Sequence, residues 1–338
     1  MMIDSPTRYR LFAAVAIAAA SFAANWTTGG IPPHKALTFA QSPHGFSAFQ
    51  DRLRASDIPP AQTLIVLFAS GSYWVALAVA LHQAGFVVSV LNPAKVHNYA
   101  LSLARRAKTD ALDATLLAQF AAERQPTPCS PPPPLYHELR QRLLARDLLL
   151  TMRQQTRNQR HALLQWPVVI EALRQQLDGL LAELELRLSR LEAELAAVLK
   201  DAAWAESAAL LSSINAIGLI TSAWLVVGTL NFTLCASGAA AAAYAGLVPL
   251  SCNSGTSVRE RARIGQGGQA RLRTALYRAS LSAARFNPVI QAQYQRLRAA
   301  GKSVKVARCA AARKLMHLAY AVVSKEKRFD PHYGTARA

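Results

Sequence analysis

The spacing of apolar positions changes along this chain, and the changes divide it. Residues 12–24 are almost continuously apolar, as are 63–68 (Thr-Leu-Ile-Val-Leu-Phe) and 86–91 (Phe-Val-Val-Ser-Val-Leu). Short runs of this kind, bounded by Gly-Gly-Ile-Pro-Pro at 29–33, Ala-Ser-Gly-Ser at 69–72 and Asn-Pro at 92–93, predict buried strands. Between them, 45–55 and 73–84 predict helices. Strand, helix and strand at this spacing imply parallel strands joined by right-handed crossovers, and so a sheet covered on both faces. Residues 1–124 therefore read as an α/β domain.

Residues 126–134, Pro-Thr-Pro-Cys-Ser-Pro-Pro-Pro-Pro, fit neither a helix nor a central strand and predict a stiff, extended linker over 125–135. Beyond it, 136–165 is a polar, Arg-rich helical stretch that breaks near Trp166-Pro167. Leu177, Leu181, Leu184, Leu188, Leu191, Leu195 and Val198 then recur at alternating spacings of four and three, a heptad seam. Residues 136–202 accordingly predict either an antiparallel coiled-coil hairpin within the chain or an arm that pairs with another subunit. Residues 203–330 read as a helical domain, with 331–338 as a tail. The fold class is α/β plus all-α.

Charge adds a partner to this picture. The chain carries 38 Lys and Arg against 19 acids, a net charge of +19. Residues 251–338 alone hold eighteen of the cations, opposed only by Glu260, Glu326 and Asp330. Ordinary solvated faces mix signs, so this excess points to a polyanion, with nucleic acid ahead of an anionic membrane. The four cysteines (129, 235, 252, 309) form no Cys-x-x-Cys or Cys/His cluster, which argues against zinc and disulfides and fits a reducing cytoplasm. Arg8 and Arg10 ahead of the apolar run 11–24 mimic a signal peptide. The run is mostly alanine, however, and too short to span a bilayer, so a cytoplasmic protein without membrane partners is expected.

Three segments carry chemistry. Asp110 and Asp113, in Ala-Lys-Thr-Asp-Ala-Leu-Asp-Ala (107–114), share one face if that stretch is helical and could hold a divalent metal. The spacing alone favours a helix start, with Thr109 as N-cap and acids favoured by the helix dipole. Ile-Asn-Ala-Ile-Gly (214–218) resembles the turn of a helix-hairpin-helix module, or is a plain helix turn ended by Gly218. In residues 251–268, Ser254-Gly255 precedes Arg259, Arg261 and Arg263 at alternate positions. Arginines grip phosphate oxygens in bidentate fashion, and a serine there could attack a phosphodiester or merely donate a hydrogen bond.

The order of these parts resembles the DEDD transposases of insertion sequences, the family that includes the pilin-gene invertase and the bridge-RNA-guided recombinases. The likeness rests on Ala-Ser-Gly-Ser-Tyr-Trp (69–74), Val-Leu-Asn-Pro (90–93), the stretch 107–114 and Ile-Asn-Ala-Ile-Gly (214–218). It continues through Ala-Tyr-Ala-Gly-Leu-Val-Pro (243–249), Ser-Gly-Thr-Ser-Val-Arg (254–259), Leu-Arg-Thr-Ala-Leu-Tyr (272–277), Gly-Lys (301–302) and Ala-Ala-Arg-Lys-Leu (311–315). The resemblance implies a RuvC-like, RNase H-type domain, a coiled-coil hairpin and a helical transposase domain. It also implies Mg2+ held by four acids, two of which fall on Asp110 and Asp113, and a serine nucleophile at Ser254, ahead of Thr256 and Ser257. Cations assigned to nucleic acid are Arg259, Arg261, Arg263, Arg271, Arg273, Lys302, Lys305, Arg313 and Lys314. The implied partners are DNA, a structured guide RNA and further copies of the chain as a dimer or tetramer, in the bacterial cytoplasm at the nucleoid.

Two of the four acids are missing. Where the family has Gly-x-Asp-x-Ala, this chain reads Ala14-Val15-Ala16-Ile17-Ala18, and where an acid precedes Ala-Ser/Thr-Gly, it has Phe68. Asp4, Asp51 and Asp57 lie outside the strand positions, and Glu260 stands where glycine is more usual. A metal site near phosphate needs several hard oxygen ligands, so the resemblance implies an impaired or inactive centre.

Overall fold

A computed structural model describes residues 9–32, 34–69, 71–103, 109–201, 203–250, 253–254, 258–259, 263–265 and 267–332, with backbone alone at 93–94, 253–254 and 258–259. The chain divides into two units after Pro131.

The first unit is built on strands β1 (Leu11–Ile17), β2 (Ser21–Thr27), β3 (Leu37–Ala40), β4 (Thr63–Phe68) and β5 (Val87–Leu91), in the order β3-β2-β1-β4-β5. β1 pairs antiparallel with β2 and β2 with β3, whereas β1, β4 and β5 run parallel. The apolar run 12–24, expected as one strand, is a hairpin that turns at residues 18–20, where the Ala18 N–H donates to Ser21 O over 2.9 Å. Three consecutive alanines carry no turn signal in their composition, so the reversal was invisible to a reading by apolar content. β3 was also missed, because this short edge strand is mostly exposed and lacks a buried run.

One face of the sheet packs Leu11, Val15, Phe22, Ile65 and Leu67 against α1 (Pro43–Arg54) and α2 (Trp74–Gln83). After β5, α3 (Pro93–Ser102) begins at the proline expected only as a stop, since a proline that ends a strand also suits the first turn of a helix. The other face packs Phe12, Ala14, Leu64 and Val66 against Leu117, Ala118 and Ala121 of α4 (Asp110–Arg124). Covering on both faces explains why β1 and β4 are solid apolar runs rather than alternating ones. Small side chains on both sides of the contact let α4 lie close to the sheet. A polar pin fixes its register, because buried Asn25 on β2 donates to Thr115 Oγ1 on α4 (2.9 Å) and to His34 O (3.2 Å). The Pro-rich stretch is not wholly a free spacer: Cys129 N–H donates to Val88 O (2.8 Å), and Ser89 Oγ donates to Thr127 O (3.0 Å).

The second unit opens with α5 (Pro134–Leu163) and α6 (Glu171–Asp201). Ion pairs Arg142–Glu194, Arg146–Glu192, Arg157–Glu185 and Arg160–Asp178 run in opposite sequence directions, so the two helices are antiparallel. The seven seam residues of α6 are all buried or half-buried. Exposed ion pairs contribute roughly 0–1 kcal/mol each, so leucine packing dominates this hairpin. Its base joins a core shared with α7 (Ala205–Ser212), α8 (Leu219–Thr229) and α9 (Gly238–Tyr244).

Between α7 and α8 the left-handed residue is Ala216 (φ 85°), whereas Gly218 is extended and serves as the N-cap of α8, so the turn does not end in a left-handed glycine. Among the described residues four two-residue strands follow: β6 (Pro249–Leu250), β7 (Asn253–Ser254), β8 (Val258–Arg259) and β9 (Arg263–Ile264). β6 pairs with β9 and β7 with β8, both antiparallel. Helices α10 (Ala270–Phe286), α11 (Pro288–Ala299) and α12 (Val304–Ser324) complete the unit. Gly246 (φ 71°) and Gly268 (φ 85°) meet at the base of this ladder. A Cβ on Gly268 would lie 2.5 Å from Gly246 N. The same junction is tied by Arg273 Nη1 donating to Gly267 O (2.7 Å) and by Gln269 N–H donating to Tyr244 O (2.8 Å).

Two substitutions test these anchors. Asn25→Ala leaves the Thr115 hydroxyl and the His34 carbonyl without their buried donor, and should lower unfolding free energy by about 1–3 kcal/mol in urea titration at unchanged m-value. Gly268→Ala should cost about 1–3 kcal/mol through its positive φ and the clash with Gly246. Gly267→Ala, where a Cβ meets nothing within 4 Å, should stay within about 0.5 kcal/mol.

Candidate functional site

In the first unit, Thr109 caps α4, its side chain accepting the Leu112 N–H, and Asp110 and Asp113 occupy the first turn. The helix-start geometry is therefore real, and both acids lie in the turn where the dipole favours negative charge. Asp110 is exposed and Asp113 half-buried.

That turn approaches the carboxyl ends of two parallel strands, the usual place for a functional crevice in an α/β sheet. Val15 of β1 is level with Leu67 of β4, so Ala16 and Phe68 are the next residues along neighbouring strands. Both belong to one apolar cluster, in which Ala16, Ala23 and Ala114 of α4 are buried and Phe68 and Ala36 pack around them. The topology thus gathers position 16, position 68 and the start of α4 into one place. What it gathers there is mostly methyl groups and a phenyl ring.

Mg2+ takes near-octahedral oxygen coordination, and paired metals need several carboxylates to offset their charge. Among the described residues, no group of three or more His, Cys, Asp or Glu could hold a metal ion. Ala16 is fully buried and offers no oxygen, and Phe68 puts a ring where a donor would stand. The residues present do not fit the implied two-metal centre.

In the second unit, Ser254 pairs with Val258 across the inner ladder, and Arg259 pairs with Asn253 on the next rung. Arg263 is exposed and pairs with Leu250 in the outer ladder. Arg261 lies outside the described residues. Arg273 is half-buried and braces the ladder base, while Arg271 lies over the Trp224 ring, 5.6 Å from its centroid, and is paired to Asp147 of α5 at 2.6 Å. Lys302 and Lys305 are exposed where α11 passes into α12. Arg313 is half-buried and Lys314 exposed, further along α12. Burial pushes the neighbouring His317 imidazole below its ordinary value, and Arg313 and Lys314 push it the same way.

The two long helices contribute little to the charge excess. Residues 134–201 hold ten Lys and Arg against nine acids, so the +19 is concentrated beyond the hairpin. Asp147 and Trp224 escaped the sequence reading. Each is unremarkable locally, and only the fold brings them to Arg271, which follows Asp147 by 124 positions.

Comparison with known proteins places these features. A DEDD-type transposase model of the IS110 group matches residues 21–166, which include Asp110 and Asp113, and a model described as "Transposase IS116/IS110/IS902 family" matches residues 208–295, which include Ser254. Ala16 precedes the first matched span. The pilin gene-inverting proteins of Moraxella bovis and Moraxella lacunata are each 29% identical over 300 residues, covering 87% of this chain and 90% of the relative. With a family model on each unit and relatives aligned along nearly their whole length, the chain belongs to the IS110 family of transposases.

Proposed function

We propose that this chain is a DNA-binding recombinase homologue whose metal centre has been replaced by apolar packing. One observation carries the reading: Ala16, Ala23, Ala114 and Phe68 pack together beside the turn that bears Asp110 and Asp113. The first unit is read as RNase H-like, of the RuvC type, a reading supported by an antiparallel β1–β3 meander extended by parallel β4 and β5. The helix pair of the second unit is read as a coiled coil, supported by the buried heptad seam of α6.

DNA is the partner because the pilin gene-inverting relatives are named for inverting a gene, and because eighteen cations face three acids in residues 251–338. The same excess suits a structured guide RNA as a second polyanion. Ser254 is the assigned nucleophile, supported by its place in the β7–β8 pair, which lies between β6 and β9 in sequence and one rung from Arg259. Attack by its Oγ on a phosphodiester requires removal of the hydroxyl proton and neutralisation of charge on phosphorus. Two aspartates on one helical turn are a poor replacement for four acids, so strand cleavage is lost or severely slowed. The α6 seam is occupied by α5 of the same chain, so homo-oligomers would form through other surfaces.

Restoring the acids tests this. Ala16→Asp with Phe68→Glu crowds like charges into a buried place, so the double variant should melt below the unaltered chain in EDTA. Millimolar Mn2+ or Mg2+ should raise its Tm, by about 2.7 kcal/mol of stabilisation at a hundredfold excess over Kd, and leave the unaltered chain unmoved. A Ser254-dependent protein–DNA adduct should form only in the restored protein. Equal divalent-dependent adduct in both would overturn the reading.

A further inference from the structure

We propose that a groove inside the second unit, between α5, α8 and α10, holds one strand of DNA. The inference rests on the DNA-binding reading above and goes beyond it by assigning a surface and a form of the ligand. The groove encloses about 1120 Å³. Its cationic lining includes Arg153, Arg271 and Arg278, and Asp147 is its one acid among the described residues. Arg153 and Arg278 form no ion pair among the described residues, so their charge is available to a ligand.

The rest of the lining sets apolar residues among Arg146, three threonines and two glutamines. Leu148 is 61% exposed in the groove, a large apolar side chain left in water without the bound partner. The guanidinium of Arg271, seated over Trp224, presents a cationic plate. A duplex offers such a groove only sugars and phosphates, and leaves the leucine without an apolar partner. A single strand offers phosphates to the arginines and base faces to the apolar lining, the combination on which strand-binding channels are built.

Asp147 has a particular place in this scheme. Its carboxylate holds Arg271 at 2.6 Å, as a phosphate oxygen would. In the free protein it acts as a placeholder, and a DNA phosphate must displace or neighbour it. Removing that charge should therefore strengthen binding more than removing an equal charge elsewhere.

The test uses the full chain and a fluorescein-labelled oligothymidylate of about twenty nucleotides, titrated by anisotropy across a salt series. Duplex DNA and oligouridylate of equal length run beside it. Arg153→Ala with Arg278→Ala should weaken oligothymidylate binding on the order of tenfold at about 0.1 M salt and flatten the log–log salt slope by roughly 1.4, the loss of two phosphate contacts. Asp147→Asn should tighten binding several-fold. Glu183→Gln, which removes an equal charge from α6 outside the groove, should change it less than about twofold. Unchanged Tm in each variant ties the effects to the groove.

Four outcomes overturn the proposal. Groove variants that bind like the unaltered chain, while Lys302→Ala with Lys305→Ala loses affinity, would move the DNA elsewhere and leave the wider reading standing. Groove-dependent preference for the duplex or for oligouridylate would refute single-stranded DNA as the occupant. A change in mass by light scattering on groove substitution, without change in DNA affinity, would put a second copy there. Failure of the unaltered chain to bind any of the three nucleic acids would refute the groove and the DNA-binding reading together.

Discussion

The close packing of α4 on the sheet is the contact from which the rest of the first unit's site follows. Alanines on β1, β2 and α4 remove the bulk that would hold helix and sheet apart, and the Asn25–Thr115 hydrogen bond sets how far along the sheet the helix sits. With that register fixed, the first turn of α4 must meet the carboxyl ends of β1 and β4. The Asn25–Thr115 bond that sets this register lies outside positions 16 and 68. A scaffold of this kind can therefore lose its acids and keep its shape. Methyl groups at Ala16, Ala23 and Ala114 pack without the like-charge repulsion that clustered carboxylates impose when no metal balances them.

Much of this architecture is legible in the sequence where a single periodic signal dominates. Thr63–Phe68 is the strand its apolar run indicates, and the α6 seam residues are all at least partly withdrawn from water. Composition carries no punctuation in the alanine run that reverses at residues 18–20, and β3 is short and exposed, so neither element is legible in the sequence. The missing acids were visible only by resemblance, because Ala16 and Phe68 are ordinary strand residues. Structure adds that both join the same apolar cluster. The groove could not be read at all, since Arg271, Asp147 and Trp224 belong to three helices and become neighbours only through tertiary packing.

Charge is distributed by the same logic of element and neighbour. Along the hairpin, arginines of α5 meet acids of α6 and largely cancel. From residue 251 onward no such supply of acids exists, and among the described residues the carboxylate that reaches across to α10 is that of Asp147 on α5. Charge that is not neutralised within the fold raises the field at the surface and draws polyanions from solution at rates that fall steeply with salt.

The strap formed by residues 127–129 has a consequence for how the sheet ends. β5 is an edge strand, and an open edge is a template on which another chain can add a strand. Here that edge accepts the Cys129 N–H, from a segment with prolines at 126, 128 and 131. Proline has no N–H to offer a further strand, so the strap closes one side of the ladder while presenting a poor template of its own. A stretch whose composition marks a domain boundary thus also terminates the sheet, and guards a strongly apolar strand against edge-to-edge association.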